Sequence, residues 1–237
     1  MKNYFKNRKI LEDGNVYSKS MEHDACGVGL IASTEGKKSR KVVEYGIRAL
    51  KAVFHRGAVD ADGKTGDGAG IHLEIPSDFF AEKIEITGHQ HDGSDICVGM
   101  IFLPRNNYEA QENARTLVES ELTKSNFNIY GWRQVPVNTK VLGEKANFTR
   151  PEITQVLFKN NDKSLRGKDL ERKLYESRRK IEKEAIKNAI DGFYICSLSS
   201  KSIIYKGMFL AESIAEFYTD LNDERFISRY VIFHQRF

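Results

Sequence analysis

Between Ile96 and Leu103 the chain reads Ile-Cys-Val-Gly-Met-Ile-Phe-Leu, eight residues without a charged or strongly hydrogen-bonding side chain. A strand of this composition has no face to give to water, so it belongs in the middle of a sheet. It is far shorter than the roughly 20 residues that span a bilayer, so it reads as core. The rest of the chain has to supply its cover.

The surrounding pattern supplies strands and helices in mixed order. Cys26 to Ala32 is short, apolar and bounded by charged stretches, and reads as a buried strand. Lys38 to Phe54 places Val42, Val43, Ile47, Leu50, Val53 and Phe54 on one helical face. His55 to Gly70 reads as a structured loop, followed by a strand over Ile71 to Ile75 and a short helix over Asp78 to Lys83. Thr87 to Ser94 is a polar loop. Asn107 to Ser125 reads as a helix, and Asn128 to Val135 and Ile153 to Phe158 as strands, with Lys159 to Gly167 a hydrophilic link. Lys168 to Asn188 is a charged helix around a stripe of Leu170, Leu174 and Ile181, with Ile186 further on. Its charged side reads as a solvated outer face. Phe193 to Leu198 and Ser202 to Lys206 flank a Ser-Ser turn and read as a hairpin. A short helix over Leu210 to Tyr218 and a strand over Arg229 to Phe237 follow. There is no strict βαβ repeat, which favours α+β with layered antiparallel sheets over a doubly wound parallel sheet. The last strand, running into the end of the sequence, is expected to leave an unpaired, aggregation-prone edge.

The 237 residues suit one large domain or two small ones. A net charge of +4 and a single Trp give no basic face interleaved with aromatics, so nothing points to nucleic acid. Cys26, Cys97 and Cys196 lie far apart, without a C-x-x-C, which suggests neither zinc nor disulfides but a reducing compartment. Cys97 and Cys196 fall within apolar strands and read as core. His72, His89 and His91 have no cysteine nearby with which to build a zinc site. Residues 1–25 are polar and lack an apolar h-region, so they read as an irregular leader, not a secretory signal. A cytoplasmic protein without membrane contact is expected.

Two segments invite chemistry. Cys26 starts an apolar strand and is followed by Gly27 and Gly29, which give it little steric cover. From position alone it reads as a core thiol. The second segment is His55-Arg56-Gly57-Ala58 with Thr65-Gly66-Asp67-Gly68-Ala69-Gly70. It is not a Walker A loop, because the earlier glycine falls on Ala58. It is not a dinucleotide fingerprint, because the spacing is wrong and no strand precedes it. It is not an EF-hand, because Gly63 and Glu74 sit at the wrong offsets from Asp60. A plain surface loop and a functional loop both remain open.

In combination the segments say more. Ala25-Cys26-Gly27-Val28-Gly29, then His55-Arg56-Gly57-Ala58, then Thr65-Gly66-Asp67-Gly68-Ala69-Gly70 resemble the glutaminase domain of the glutamate synthases. That domain is a class II glutamine amidotransferase of the N-terminal-nucleophile type. Gly131-Trp132-Arg133-Gln134-Val135-Pro136-Val137, Arg150-Pro151-Glu152-Ile153, Ile204-Tyr205-Lys206-Gly207-Met208 and Phe233-His234-Gln235-Arg236-Phe237 follow in the family's order. The resemblance runs from Cys26 to Phe237.

The resemblance implies a four-layer α/β/β/α N-terminal-nucleophile sandwich with two antiparallel sheets, here incomplete. It implies removal of residues 1–25 and a glutaminase domain over 26–237 with Cys26 as nucleophile. The new α-amino group would take the thiol proton. Arg236 would bind the α-carboxylate of glutamine, and Arg56, with Gly57, would support the site. His55 and His234 would be structural. Ammonia would serve glutamate synthesis from 2-oxoglutarate in synthase domains of the same chain. Those domains would bind FMN and an iron–sulfur cluster and draw electrons from a small electron-transfer subunit or ferredoxin. No cofactor is expected within 26–237. In the family the last strand continues into a Ser/Thr-Asn-Thr stretch, and a later Asn-Gly pair supplies the oxyanion hole. Neither is within the 237 residues, so the segment reads as a fragment, nearly inactive alone. Another amidohydrolase of this mechanism, or an inactive module, are the alternative readings.

Overall fold

Ile96–Leu103 forms strand β3, and its neighbours show how so apolar a strand is covered. In the computed structural model, which describes residues 2–14, 18 and 26–236, β3 lies inside a four-stranded antiparallel sheet. The order is β4 (Phe127–Gln134), β5 (Glu152–Asn160), β3 and β6 (Tyr194–Ser199). On one face Cys97, Ile101 and Leu103 meet helices α4 (Tyr108–Lys124) and α6 (Gly167–Lys187), through Val118, Leu122, Leu174 and Ile181. Asn107 starts α4 by accepting a hydrogen bond from the Ala110 N–H at 3.0 Å, as an N-cap does. On the other face Ile96, Val98, Met100 and Leu157 join a second, larger core cluster.

The first sheet has the order β1 (Gly27–Ala32), β8 (Tyr230–Gln235), β2 (Ala69–Glu74) and β7 (Ser202–Gly207), again antiparallel. Its inward residues Ile71, Leu73, Ile203, Tyr205, Val231 and Phe233 enter that same larger cluster. Helix α2 (Arg40–Ala52) packs Val43, Ile47 and Leu50 into it. Helix α3 (Ser77–Ile86) adds Phe79, Phe80 and Ile84. The sheets also touch through a polar contact, Gln155 Nε2 donating to Tyr205 Oη at 3.2 Å. Two antiparallel sheets with helices on both give the α+β class expected.

Several expectations need correction. Residues 2–13 are not irregular but form helix α1 (Lys2–Asp13), in which Arg8 and Glu12 pair one turn apart. β1 is not a buried strand. It is an edge, with Val28 68% and Leu30 60% exposed, because apolar content cannot say whether a layer lies over a strand. β8 is not an edge but lies between β1 and β2. β6 and β7 are not a hairpin: β6 pairs with β3 and β7 with β2. Serine hydroxyls replace ladder bonds at this corner, Ser197 Oγ accepting from the Ile204 N–H at 3.3 Å and Ser199 Oγ from the Lys201 N–H at 2.9 Å. Ile186 leaves the α6 stripe and is 82% exposed, while Ser177 and Ala185 complete the buried face. The charged side of α6 is not wholly solvated, since Glu171 accepts hydrogen bonds from Ser199 and Ser200. A short helix α5 (Glu144–Thr149) lies where no helix was expected. Residues 210–218 form a 3-10 turn (Ala211–Ser213) and a single helical turn, α7 (Ile214–Phe217).

Candidate active site

Three strand ends converge where the sequence motifs meet. β1 pairs with β8 so that Gly27 faces Gln235, and β2 pairs with β8 so that Ala69 also faces Gln235. One residue further along each strand lie Cys26, Arg236 and Gly68. The Arg236 N–H donates to the Gly68 carbonyl at 2.7 Å, which carries the pairing one step past the strands. Cys26 and Arg236, 210 positions apart in sequence, thereby flank the same terminal strand pair, Gly27 and Gln235. Cys26 is exposed, whereas Cys97 and Cys196 are buried, as expected. Burial holds the Cys97 thiol well above its usual range and pushes Cys196 up to about 12, so neither is a nucleophile.

The loop from His55 to Gly70 builds the neighbouring wall. Phe54–Arg56 is one turn of 3-10 helix closed by Gly57. The Arg56 side chain lies outside the described residues. Residues 58–67 then fold into a tight hairpin, with Asp60 N–H on the Thr65 carbonyl at 2.8 Å and Asp67 N–H on the Ala58 carbonyl at 3.3 Å. Asp62 holds the turn by accepting from Thr65 Oγ1 at 2.5 Å and from the Lys64 and Thr65 N–H groups. The Thr65 hydroxyl bond and the backbone donors draw the Asp62 carboxyl down to about 2. Thr65 Oγ1 in turn accepts from the Ala146 N–H at 3.4 Å, and Lys145 pairs with Asp60 at 2.9 Å, so the loop is tied to α5.

The loop brings Asp67 to Arg236, Oδ2 to Nε at 3.3 Å. Gln235, 1% exposed, runs beneath. Gly57 is needed here for space, because a Cβ on it would come within 2.1 Å of Gln235 Nε2 and 3.1 Å of Asp67 Oδ1. Gly68 is needed for its backbone, with φ at +112°. Arg236 itself has φ at +80°, a conformation L side chains rarely adopt, so the strain sits at a candidate binding residue. Asp67 and Gln235 lie within the motifs, but the sequence assigns them no role. The signal was Asp67 between two glycines.

The remaining histidines go elsewhere. His55 is exposed against Phe54, and His234 Nδ1 lies 3.2 Å from the Arg236 carbonyl oxygen. His72 is half-buried against Tyr230, and burial lowers its pKa. His91 bonds the Gly93 N–H and Ser94 O. Among the described residues no three His, Cys, Asp or Glu side chains are grouped to hold a metal. An iron–sulfur cluster takes about four thiolates. Here Cys97 and Cys196 are buried in different core clusters, so these residues do not fit one. Among the described residues no helix is long and apolar enough to cross a membrane.

Two cavities flank α5. One of about 370 Å³ lies between Val59, Asp60, Thr65, Asp67 and Lys145. The other, about 270 Å³ and mostly apolar, is lined by residues including Phe102, Arg150, Tyr194, Lys206 and Phe217. Ala146, Thr149 and Met208 line both.

Known proteins resemble the chain in sequence. The chain is 54% identical over 231 residues to the glutamate synthase [NADPH] large chain of Azospirillum brasilense, covering 98% of this chain and 15% of that one. It is 39% identical over 217 residues to ferredoxin-dependent glutamate synthase 2 of Synechocystis sp., covering 91% and 14%. It is 36% identical over 229 residues to the glutamate synthase [NADPH] large chain of Bacillus subtilis, covering 94% and 14%. The chain thus spans about 15% of the length of these relatives. The family profile described as "Glutamine amidotransferases class-II" matches residues 26–237, so a chain whose cysteine strand, arginine strand and glycine loop meet at one point belongs to the class-II glutamine amidotransferases.

Proposed function

We propose that the domain to which residues 26–237 belong hydrolyses, in the longer protein, the side-chain amide of glutamine through Cys26, and that the longer protein uses the ammonia to make glutamate from 2-oxoglutarate. The observation that carries this reading is the strand register that pairs Gly27 with Gln235, the residues adjoining Cys26 and Arg236. A nucleophile beside a guanidinium suits an amino-acid substrate, because arginine grips a carboxylate with two hydrogen bonds.

In a chain that keeps residues 1–25, the nitrogen of Cys26 is an amide and has no basicity. Cleavage between Ala25 and Cys26 converts it to an amine with a pKa of about 8, close to that of a thiol at about 8.5. The amine takes the thiol proton, directly or through a water, and the sulfur attacks the amide carbon. The C–N bond breaks, the proton passes to the leaving nitrogen, and ammonia departs from a thioester. Water then adds to the thioester carbon, the C–S bond breaks, and glutamate leaves with the thiol restored. Arg236 holds the α-carboxylate throughout, and Arg56 and Gly57 support the wall beside it. FMN, an iron–sulfur cluster and the electron-donating partner, whether ferredoxin or a small subunit, act in other domains of the longer protein. The polar first 25 residues and the widely spaced cysteines favour a cytoplasmic location.

The test is the N-terminal residue and intact mass of the native protein, followed by treatment with a diazo-ketone analogue of glutamine. A chain beginning at Cys26 that takes up one analogue on that sulfur is the expected result. A native chain beginning at Met1 that ignores the analogue would overturn the reading.

A further inference from the structure

We propose that Asp67 is a positioning residue for glutamine binding: its carboxylate sets the guanidinium of Arg236 so that the α-carboxylate meets a fixed cation. This deepens the reading above and rests on it.

The hairpin loop grips Arg236 twice. The carbonyl of Gly68 accepts from the Arg236 N–H at 2.7 Å, and the side chain of the preceding residue, Asp67, meets Nε at 3.3 Å. Main chain and side chain of the arginine are therefore referred to the same two residues, and together they hold a backbone at φ +80°. The contact is made at Nε, the nitrogen nearest the stem.

The other oxygen of Asp67 strengthens the case. Oδ1 is buried, faces Gly57 and has no hydrogen-bond partner. Nearby Gln235 Oε1 is also buried without one. A carboxylate placed only for stability would have both oxygens satisfied or in water. This one has its free side walled off and directs its paired oxygen at Arg236. The pair is also a poor stabiliser, since the side chains are 25% and 32% exposed and such pairs are worth little to folding. Its value lies in orientation. Without it, a long side chain has to give up rotamer freedom when substrate binds.

The test uses the full natural polypeptide with its leader removed, and follows labelling of Cys26 against concentration of the diazo-ketone analogue. Asp67→Asn is expected to raise the half-saturating concentration about tenfold while the maximal labelling rate is kept. Alkylation by iodoacetamide, which has no α-carboxylate, should not change. Asp67→Glu keeps the charge and should recover part of the loss. Adding Asp67→Asn to Arg236→Gln should cost nothing further. An unchanged half-saturation in Asp67→Asn, or additivity with Arg236→Gln, would overturn the proposal, and so would a melting temperature lowered by more than about 10 °C, which would make Asp67 structural. If the unsubstituted protein ignores the analogue, the glutamine reading itself fails and the proposal falls with it.

Discussion

Replacing Asp220 by Ala is expected to destabilise the chain more than any surface charge change, because it strands a buried guanidinium. Arg133, on β4, lies between Asp220, Gln155 and the ring of Phe79. Its Nη atoms donate to the two Asp220 oxygens at 2.8 and 2.9 Å and to Gln155 Oε1 at 2.7 Å. The side chains of Arg133 and Asp220 are 13% and 4% exposed. Tyr205 Oη, fully buried, donates to Asp220 Oδ2 at 3.1 Å. Burial alone would lower the pKa of Arg133, but the hydrogen bonds and charge of Asp220 more than offset it and raise it. Removing one member of so buried a pair costs about 3–5 kcal/mol. With a urea slope of about 3 kcal/mol per M, the midpoint should fall by about 1–1.7 M. Trp132, the single tryptophan, adjoins Arg133 and donates to Glu119 at 2.6 Å, so its fluorescence reports directly on this strand. The pair Arg133→Met with Asp220→Leu should recover much of the loss, since it leaves no unpaired charge. A fall of less than about 0.3 M for Asp220→Ala would refute the argument that this ion pair is desolvated in the folded chain.

Two further outcomes are expected. Native-state maleimide treatment mapped by peptide mass spectrometry should modify Cys26 alone, and Cys97 and Cys196 should react only in denaturant, because both are buried. Burial of Glu74 acts to raise its pKa, but hydrogen bonds from Arg229 and the charge of Lys38 outweigh it, and the folded pKa lies below the ordinary 4.5. A depressed carboxylate contributes stability that is complete above about 4.5 and is lost as pH falls through the folded value. Melting temperatures between about pH 3 and 6 should therefore fall less steeply toward acid for Glu74→Gln than for the unsubstituted chain, and parallel curves would contradict this.

The order of motifs identified the family and, through it, marked Cys26, Gly57 and Arg236 as candidate site residues. The part played by Asp67 was not legible. A lone aspartate between glycines is as common in a plain turn, and its partner lies at the other end of the chain.

By itself, the sequence determined most of the local elements, α1 and α5 apart, and the strand that must be central. Apolar spacing along a few residues is enough to make Ile96–Leu103 a core strand and α2 an amphipathic helix. Through the order of its motifs it also placed the chain in its family. Only the tertiary structure decided which strands pair, and so that β6 and β7 part company, that β8 fills the gap between β1 and β2, and that Ile186 faces water. The reason is physical. Helix formation and burial period are read over about four residues, whereas strand pairing and side-chain partnership join groups far apart, and the free energy that selects them comes from packing against surfaces elsewhere in the chain. The pairing of Asp67 with Arg236, beside the strand that Cys26 precedes, is such a product, set by the register of one sheet.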